Sequence, residues 1–166
     1  MKSTLKLLSL FLVALLLSCG GAEEKKEEKS KVKIKKQKTE KKVETKKVKA
    51  SETVDLTNKG IGPVSSITLE ADIDQAMATK GQEIFKKMCT ACHKAGKKFI
   101  GPAPDGILER RTPEWVMNMI LNPEEMTQKD PLAKQLLIEF NGSPMANQNL
   151  TEDEARAVLE YFRTLK

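Results

Sequence analysis

The sequence predicts an all-α domain at the C-terminal end of the chain, behind a leader of quite different character. Three observations carry this. Apolar residues Ile73, Met77, Ile84, Phe85 and Met88 recur near helical spacing. Thr112-Pro113 and Asp130-Pro131 each pair an N-cap residue with proline at the first helical position. Thr151-x-x-Glu154 is a capping box that opens a final amphipathic stretch.

Taken in order, the first helix is expected from Asp74 to Lys87, ending at a cysteine-rich turn. The second starts at Thr112-Pro113, runs through Trp115, Met119 and Ile120, and stops at Asn122-Pro123. The third follows Asp130-Pro131 and carries Leu132, Leu136, Leu137 and Phe140 on one stripe, until Asn141-Gly142 ends it. The last passes through Val158, Leu159, Tyr161 and Phe162 to Leu165. The domain therefore spans residues 74–166, and a domain of that size has little core of its own. The whole chain has seven aromatic residues, one Trp, one Tyr and five Phe.

The leader divides further. Lys2 and Lys6 precede an apolar stretch from Leu7 to Leu17, which at about ten residues is too short to span a bilayer needing ~20. Leu16-Leu17-Ser18-Cys19 closes it and resembles the bacterial lipobox. That resemblance implies removal of residues 1–18 as a signal peptide and a diacylglycerol thioether on Cys19; ordinary signal cleavage leaving a free Cys is the alternative. Several acyl chains, each buried CH₂ contributing ~0.8 kcal/mol, would anchor the protein to a membrane without spanning it.

Residues 19–50 are Lys, Glu, Thr and Ser with isolated valines and one isoleucine, a composition that cannot bury enough apolar surface to offset its ordering entropy. They are expected to form a flexible tether with a span of roughly 30 Å. Residues 51–73, punctuated by Gly60, Gly62 and Pro63, are expected to be an extended arm packed on the domain.

Charge follows the same division. The chain is +6 overall. Thirteen Lys against six Glu in residues 23–50 give +7, Lys2 and Lys6 add two, and residues 51–166 are left at −3. The basic pI thus belongs to the leader, and nothing in the domain marks a nucleic-acid binder.

Cys89-Thr90-Ala91-Cys92-His93 carries the chemistry. Two thiols three positions apart, followed at once by an imidazole, make the attachment motif of a c-type haem. The sulfurs add to two vinyl groups of one porphyrin edge, and His93 is aimed at the iron. A zinc site would need a carboxylate to complete Cys89, Cys92 and His93, and a redox dithiol would need a βαβ context that the sequence lacks. With His93 as the chain's one histidine, the second axial ligand must be another residue type or the site is open.

These residues, over roughly 75–166, resemble the class I c-type cytochromes. Gly81-x-x-x-Phe85-x-x-x-Cys89-x-x-Cys92-His93 matches that family's N-terminal helix and attachment motif in spacing. The resemblance implies a small cytochrome c-like helical domain built around one covalent haem c, whose porphyrin supplies missing core volume. Gly81 would let the first and last helices cross closely, with Phe85 packed on Tyr161. The Pro102 carbonyl, or that of Pro104, would accept the second ring N–H of His93. Met145, in the loop before the last capping box, would be the sixth ligand, with Met126 second. Trp115 and one of Arg110 or Arg111 would bond haem propionates, core packing for Trp115 and solvent exposure for the arginines being the alternatives. Lys86, Lys87, Lys94, Lys97 and Lys98 would steer an acidic partner to the haem edge.

The function expected is that of an electron carrier rather than an enzyme: a membrane-tethered cytochrome on the periplasmic side or the cell surface. It would pass single electrons from a quinol-oxidising complex to a terminal oxidase or periplasmic reductase. A haem enzyme with an open sixth position, peroxidase-like, and a non-haem dithiol lipoprotein are the alternatives.

Overall fold

The computed structural model describes residues 48–166. The expected signal peptide, the lipid site at Cys19 and all but the last three residues of the tether lie outside the described residues. Within them the chain forms α1 (Gln75–Met88), a 3₁₀ turn (Ile107–Glu109), α2 (Pro113–Leu121), α3 (Pro123–Lys129), α4 (Pro131–Glu139) and α5 (Glu152–Arg163). No strand forms among the described residues; β pairing is limited to two isolated bridges. No described helix is long and apolar enough to cross a membrane.

The helix ends follow local chemistry. Asp74, Thr112, Asp130 and Thr151 each accept a backbone N–H of the first turn of α1, α2, α4 and α5, respectively. At Thr151 both halves of the capping box are made. The structure adds α3, between Asn122-Pro123 and Asp130-Pro131, where the sequence reading places no helix. Pro123 at its first position, Glu124 and Glu125 in its first turn and Lys129 in its last are all helix signals, but seven residues are too few for an apolar period to show.

α1 and α5 cross face to face. A Cβ at Gly81 would lie 1.9 Å from the Ala157 carbonyl oxygen, so only glycine permits this approach. Phe85 then meets Tyr161 and Phe162 at centroid separations of 5.5 and 5.7 Å, the latter edge-on, each pair contributing about 0.5–1.5 kcal/mol beyond area burial. Beside the crossing, the fully buried Glu160 carboxylate accepts from Arg156 (2.5 Å), Arg163 (2.6 Å) and the Asp74 N–H (2.9 Å). Burial alone would raise its pKa, but these donors hold it below the ordinary value.

The segment before α1 packs on the helices from about Lys49 onward. The Lys49 carbonyl accepts the N–H groups of Glu52 and Thr53, and Ala50 is buried. Farther along, the buried Asn118 amide accepts from the Val64 N–H and donates to the carbonyls of Lys59 and Val64, pairing with backbone as a strand would. The arm's end is clamped by Arg163, which donates to the carbonyls of Glu70, Ala71 and Asp72. Val64 enters the core, whereas Val54 and Leu56 stay exposed.

Candidate functional site

After α1, the chain turns back on itself at the cysteines: the N–H groups of Cys92 and His93 both reach the Cys89 carbonyl, at 3.1 and 2.9 Å. This turn presents both thiols and the imidazole within five residues. Burial pushes the Cys89 thiol up to about 11. A redox dithiol of the thioredoxin kind depends on a lowered thiol pKa, so this environment disfavours that alternative.

The loop after His93 fixes the ring. The Gly101 N–H donates to the Cys92 carbonyl (2.9 Å), and a Cβ at Gly101 would sit 2.5 Å from His93 Cε1. The ring therefore lies flat against a bare backbone. His93 Nδ1 is 2.8 Å from the Pro102 carbonyl oxygen. A carbonyl only accepts, so Nδ1 carries the proton and Nε2 keeps its lone pair for a metal. Pro102, not Pro104, makes this contact.

Two adjoining hollows share His93, Pro102, Ile107, Trp115, Met119 and Met145 as lining. Together with their open mouths they comprise about 790 and 560 Å³ of empty space. Cys92 borders the first and Cys89 the second. Leu136, Leu137 and Phe140 of α4 and its C-cap wall the first, while Phe85, Val116, Ile120, Val158 and Phe162 wall the second. The lining is apolar apart from a few groups, two of which matter: the buried Nε atoms of Arg110 and Arg111, both cavity-lining residues, find no partner among the described residues.

Met145 reaches the cavity from the loop between α4 and α5. Asn141 and Gly142, both with positive φ, end α4, and the Asn147 side chain ties the loop to the Leu121 carbonyl. The runner-up, Met126, is elsewhere: it is fully buried in α3 against the arm, and its sulfur accepts the Ile61 N–H at 3.0 Å. Trp115 lines both hollows, but its indole N–H is committed to Asp130 Oδ1 at 3.2 Å, so it walls the cavity without bonding a propionate. The sequence reading missed Met119, Ile107 and Ser51 as lining. Met119 and Ile107 look like ordinary core residues in sequence, and Ser51 is brought there only by the arm.

A haem fits this arrangement: two thiols at the rim, an imidazole with the correct nitrogen free, a deep apolar slot, and buried guanidinium N–H groups lacking an acceptor. Among the described residues no cluster of three or more His, Cys, Asp and Glu could hold a metal without such a cofactor. An all-α domain with an imidazole and paired thiols on one apolar slot defines a haem-binding class of protein. Comparison with known proteins gives the family. The family model for cytochrome c matches residues 78–166, and the chain belongs to that family. Cytochrome c from Rhodothermus marinus is 42% identical over 70% of this chain and 92% of that one, with a TM-score of 0.61. An engineered form of the same protein is 41% identical over 70% and 93%, with a TM-score of 0.60. The same engineered form bound to a carbene intermediate has 41% identity, the same coverage and a TM-score of 0.58. No curated protein matches the sequence. The chain is thus a c-type cytochrome with covalent haem c, and the family's role is haem-based electron transfer.

Proposed function

We propose that this protein is a lipid-anchored monohaem cytochrome that carries single electrons between extracytoplasmic respiratory partners. Cys89 and Cys92 hold the haem covalently, and His93 Nε2 and Met145 Sδ are its axial ligands. The observation that carries the reading is that His93 and Met145, 52 positions apart, line the same two hollows, whereas Met126 lines neither. The bound haem supplies a one-electron couple, and His/Met ligation places that couple at a high potential. The chain's own part is to fill both axial positions, exclude water with an apolar wall and keep His93 oriented through the Pro102 carbonyl. With both axial positions filled there is no place for a substrate on the metal, which favours a carrier over a peroxidase-like enzyme.

The lipobox-like Leu16-Leu17-Ser18-Cys19 supports attachment of the mature N-terminus to a membrane. The donor in this reading is a quinol-oxidising complex, and the acceptor is a terminal oxidase or a periplasmic reductase. Arg111, with Arg110 beside it, is proposed to receive the haem carboxylates through its unpartnered Nε.

The test is the visible spectrum of the mature protein. Sharp reduced c-type bands and a weak far-red sulfur-to-iron absorption when oxidised, the latter lost in Met145→Ala, are expected. High-spin haem that binds cyanide rapidly in the unmodified protein would overturn the ligation. In parallel, Cys19→Ala should move the protein from the membrane to the soluble fraction.

A further inference from the structure

Arg111 is 1% exposed, and almost everything that holds it comes from the arm. Its Nη2 donates to the Ala50 carbonyl at 2.6 Å, its Nη1 to the carbonyls of Thr53 and Arg110, and its guanidinium stacks 5.3 Å from the Trp115 ring centroid. The Asp55 N–H closes on the Arg110 carbonyl at 2.9 Å, so the arm and the start of α2 are laced together around this one side chain. With the Nη groups taken by the arm, the Nε is left over, in a residue that lines the haem cavity and without a partner among the described residues. Ser51, between the two arm carbonyls, itself lines that cavity. It donates through N–H and Oγ to the Glu139 carboxylate, at 2.9 and 2.5 Å, at the end of α4. The arm thus bridges α2 and α4 beside the cavity.

We infer that residues 49–55 are part of the redox site: the carbonyls of Ala50 and Thr53 make Arg111 a positioning residue that raises the reduction potential of the haem. The inference rests on the proposed placement of a haem carboxylate at Arg111. A carboxylate near the iron favours the oxidised, more positive state. A guanidinium held in a dry site neutralises that carboxylate and reverses part of the effect, the more so because the low local dielectric strengthens the pairing. The arm supplies both conditions, since it fixes the guanidinium and excludes water from it. The other charged groups near Arg111 are Arg110, Asp55 and Asp130, one cation and two carboxylates, which sum to zero once the charge of Arg111 itself is counted. A lost arm would leave Arg111 free to turn into water and the carboxylate free to hydrate, and both changes lower the potential.

The test uses the full-length, haem-loaded protein. Ser51→Pro removes the N–H and Oγ that hold Glu139 and is incompatible with the turn accepted by the Lys49 carbonyl. Ala50→Lys places a cation in the buried site against Arg111, which expels the arm. The added positive charge would by itself raise the potential, so a fall is not its direct effect. Hydrogen exchange at the Asp55 amide reports release of the arm, and spectroelectrochemistry reports the potential. Release is expected to lower the reduced-to-oxidised ratio at fixed ambient potential about threefold to tenfold, where tenfold is 59 mV for one electron. Arg111→Gln separates the two readings. If it lowers the ratio while a released arm leaves it unchanged, the arm plays no part in the redox site and the inference fails. An unchanged ratio in Arg111→Gln itself refutes the placement of the carboxylate at Arg111.

Discussion

The crossing of α1 and α5 gives the sharpest stability prediction. In Gly81→Ala, the new Cβ would meet three backbone atoms: the Ala157 oxygen at 1.9 Å, the Ala157 carbonyl carbon at 2.4 Å and the Val158 nitrogen at 2.9 Å. No rotamer change relieves a clash with backbone, so the helices must separate by about 1–1.5 Å to restore ordinary contact. Overpacking of this kind costs about 1–3 kcal/mol, and the upper end applies because the obstacle is rigid. The separation also loosens the Phe85 pairs with Tyr161 and Phe162, a further loss of about 1–2 kcal/mol. Alanine's better helix propensity returns about 1 kcal/mol. The net destabilisation is about 2–4 kcal/mol, which for a domain of this size lowers Tm by roughly 10–25 °C. Thermal melts of the holoprotein by circular dichroism would measure it, with the exposed Thr79→Ala on the same helix as a control. A Gly81→Ala protein as stable as the parent, or more stable as an unhindered helix glycine would be, would refute the packing argument.

Three other outcomes follow from the geometry. Gly101→Ala pushes the His93 ring off its seat and lengthens the bond to the Pro102 carbonyl; a less basic imidazole should raise the midpoint potential, which a redox titration would detect. Glu160 has a folded-state pKa below its unfolded value, so its contribution is present above the ordinary carboxylate pKa and is lost as pH falls through the depressed one. Acid melts of Glu160→Gln should therefore show a lower Tm at neutral pH but a flatter decline below about pH 4.5 than the parent, the ordinary Glu value being about 4.3. Lys86 and Lys97 are exposed beside the attachment turn. Lys86→Glu with Lys97→Glu should slow second-order electron delivery by an acidic partner about three- to tenfold at low salt, and the difference should shrink as salt is added.

Much of the fold is legible in the sequence because its signals are local. A cap such as Thr151 with Glu154, or Asp130 with the Ala133 N–H, involves residues three apart, and proline at the first helical position acts on its immediate neighbours. The cysteine-histidine turn is local in the same sense. α3 escaped because its buried face is little more than Met126, and one apolar residue has no period. The arm's inward residues were only partly legible: Val64 and the exposed Val54 and Leu56 look alike in sequence, and the contact with Asn118 separates them.

The cavity is the harder part. The family resemblance implies a propionate bond for Trp115, with core packing as the alternative, and the indole N–H is taken by Asp130, 15 residues away, which also caps α4 and accepts from Asn58. Arg110 and Arg111 are adjacent in sequence, yet only Arg111 is wrapped by carbonyls 58 and 61 positions upstream.

By itself the sequence determined the helix boundaries set by caps, the attachment motif with its haem c and the lysine-rich composition of the N-terminal segment. These depend on interactions within a turn, on covalent chemistry with fixed spacing, or on composition. Only the tertiary structure decided that Met145 and not Met126 lines the cavity with His93, that Pro102 holds the ring, and that an arm before the domain encloses Arg111. Those outcomes depend on which distant segments exclude water together, and the spacing of residues along the chain does not encode that.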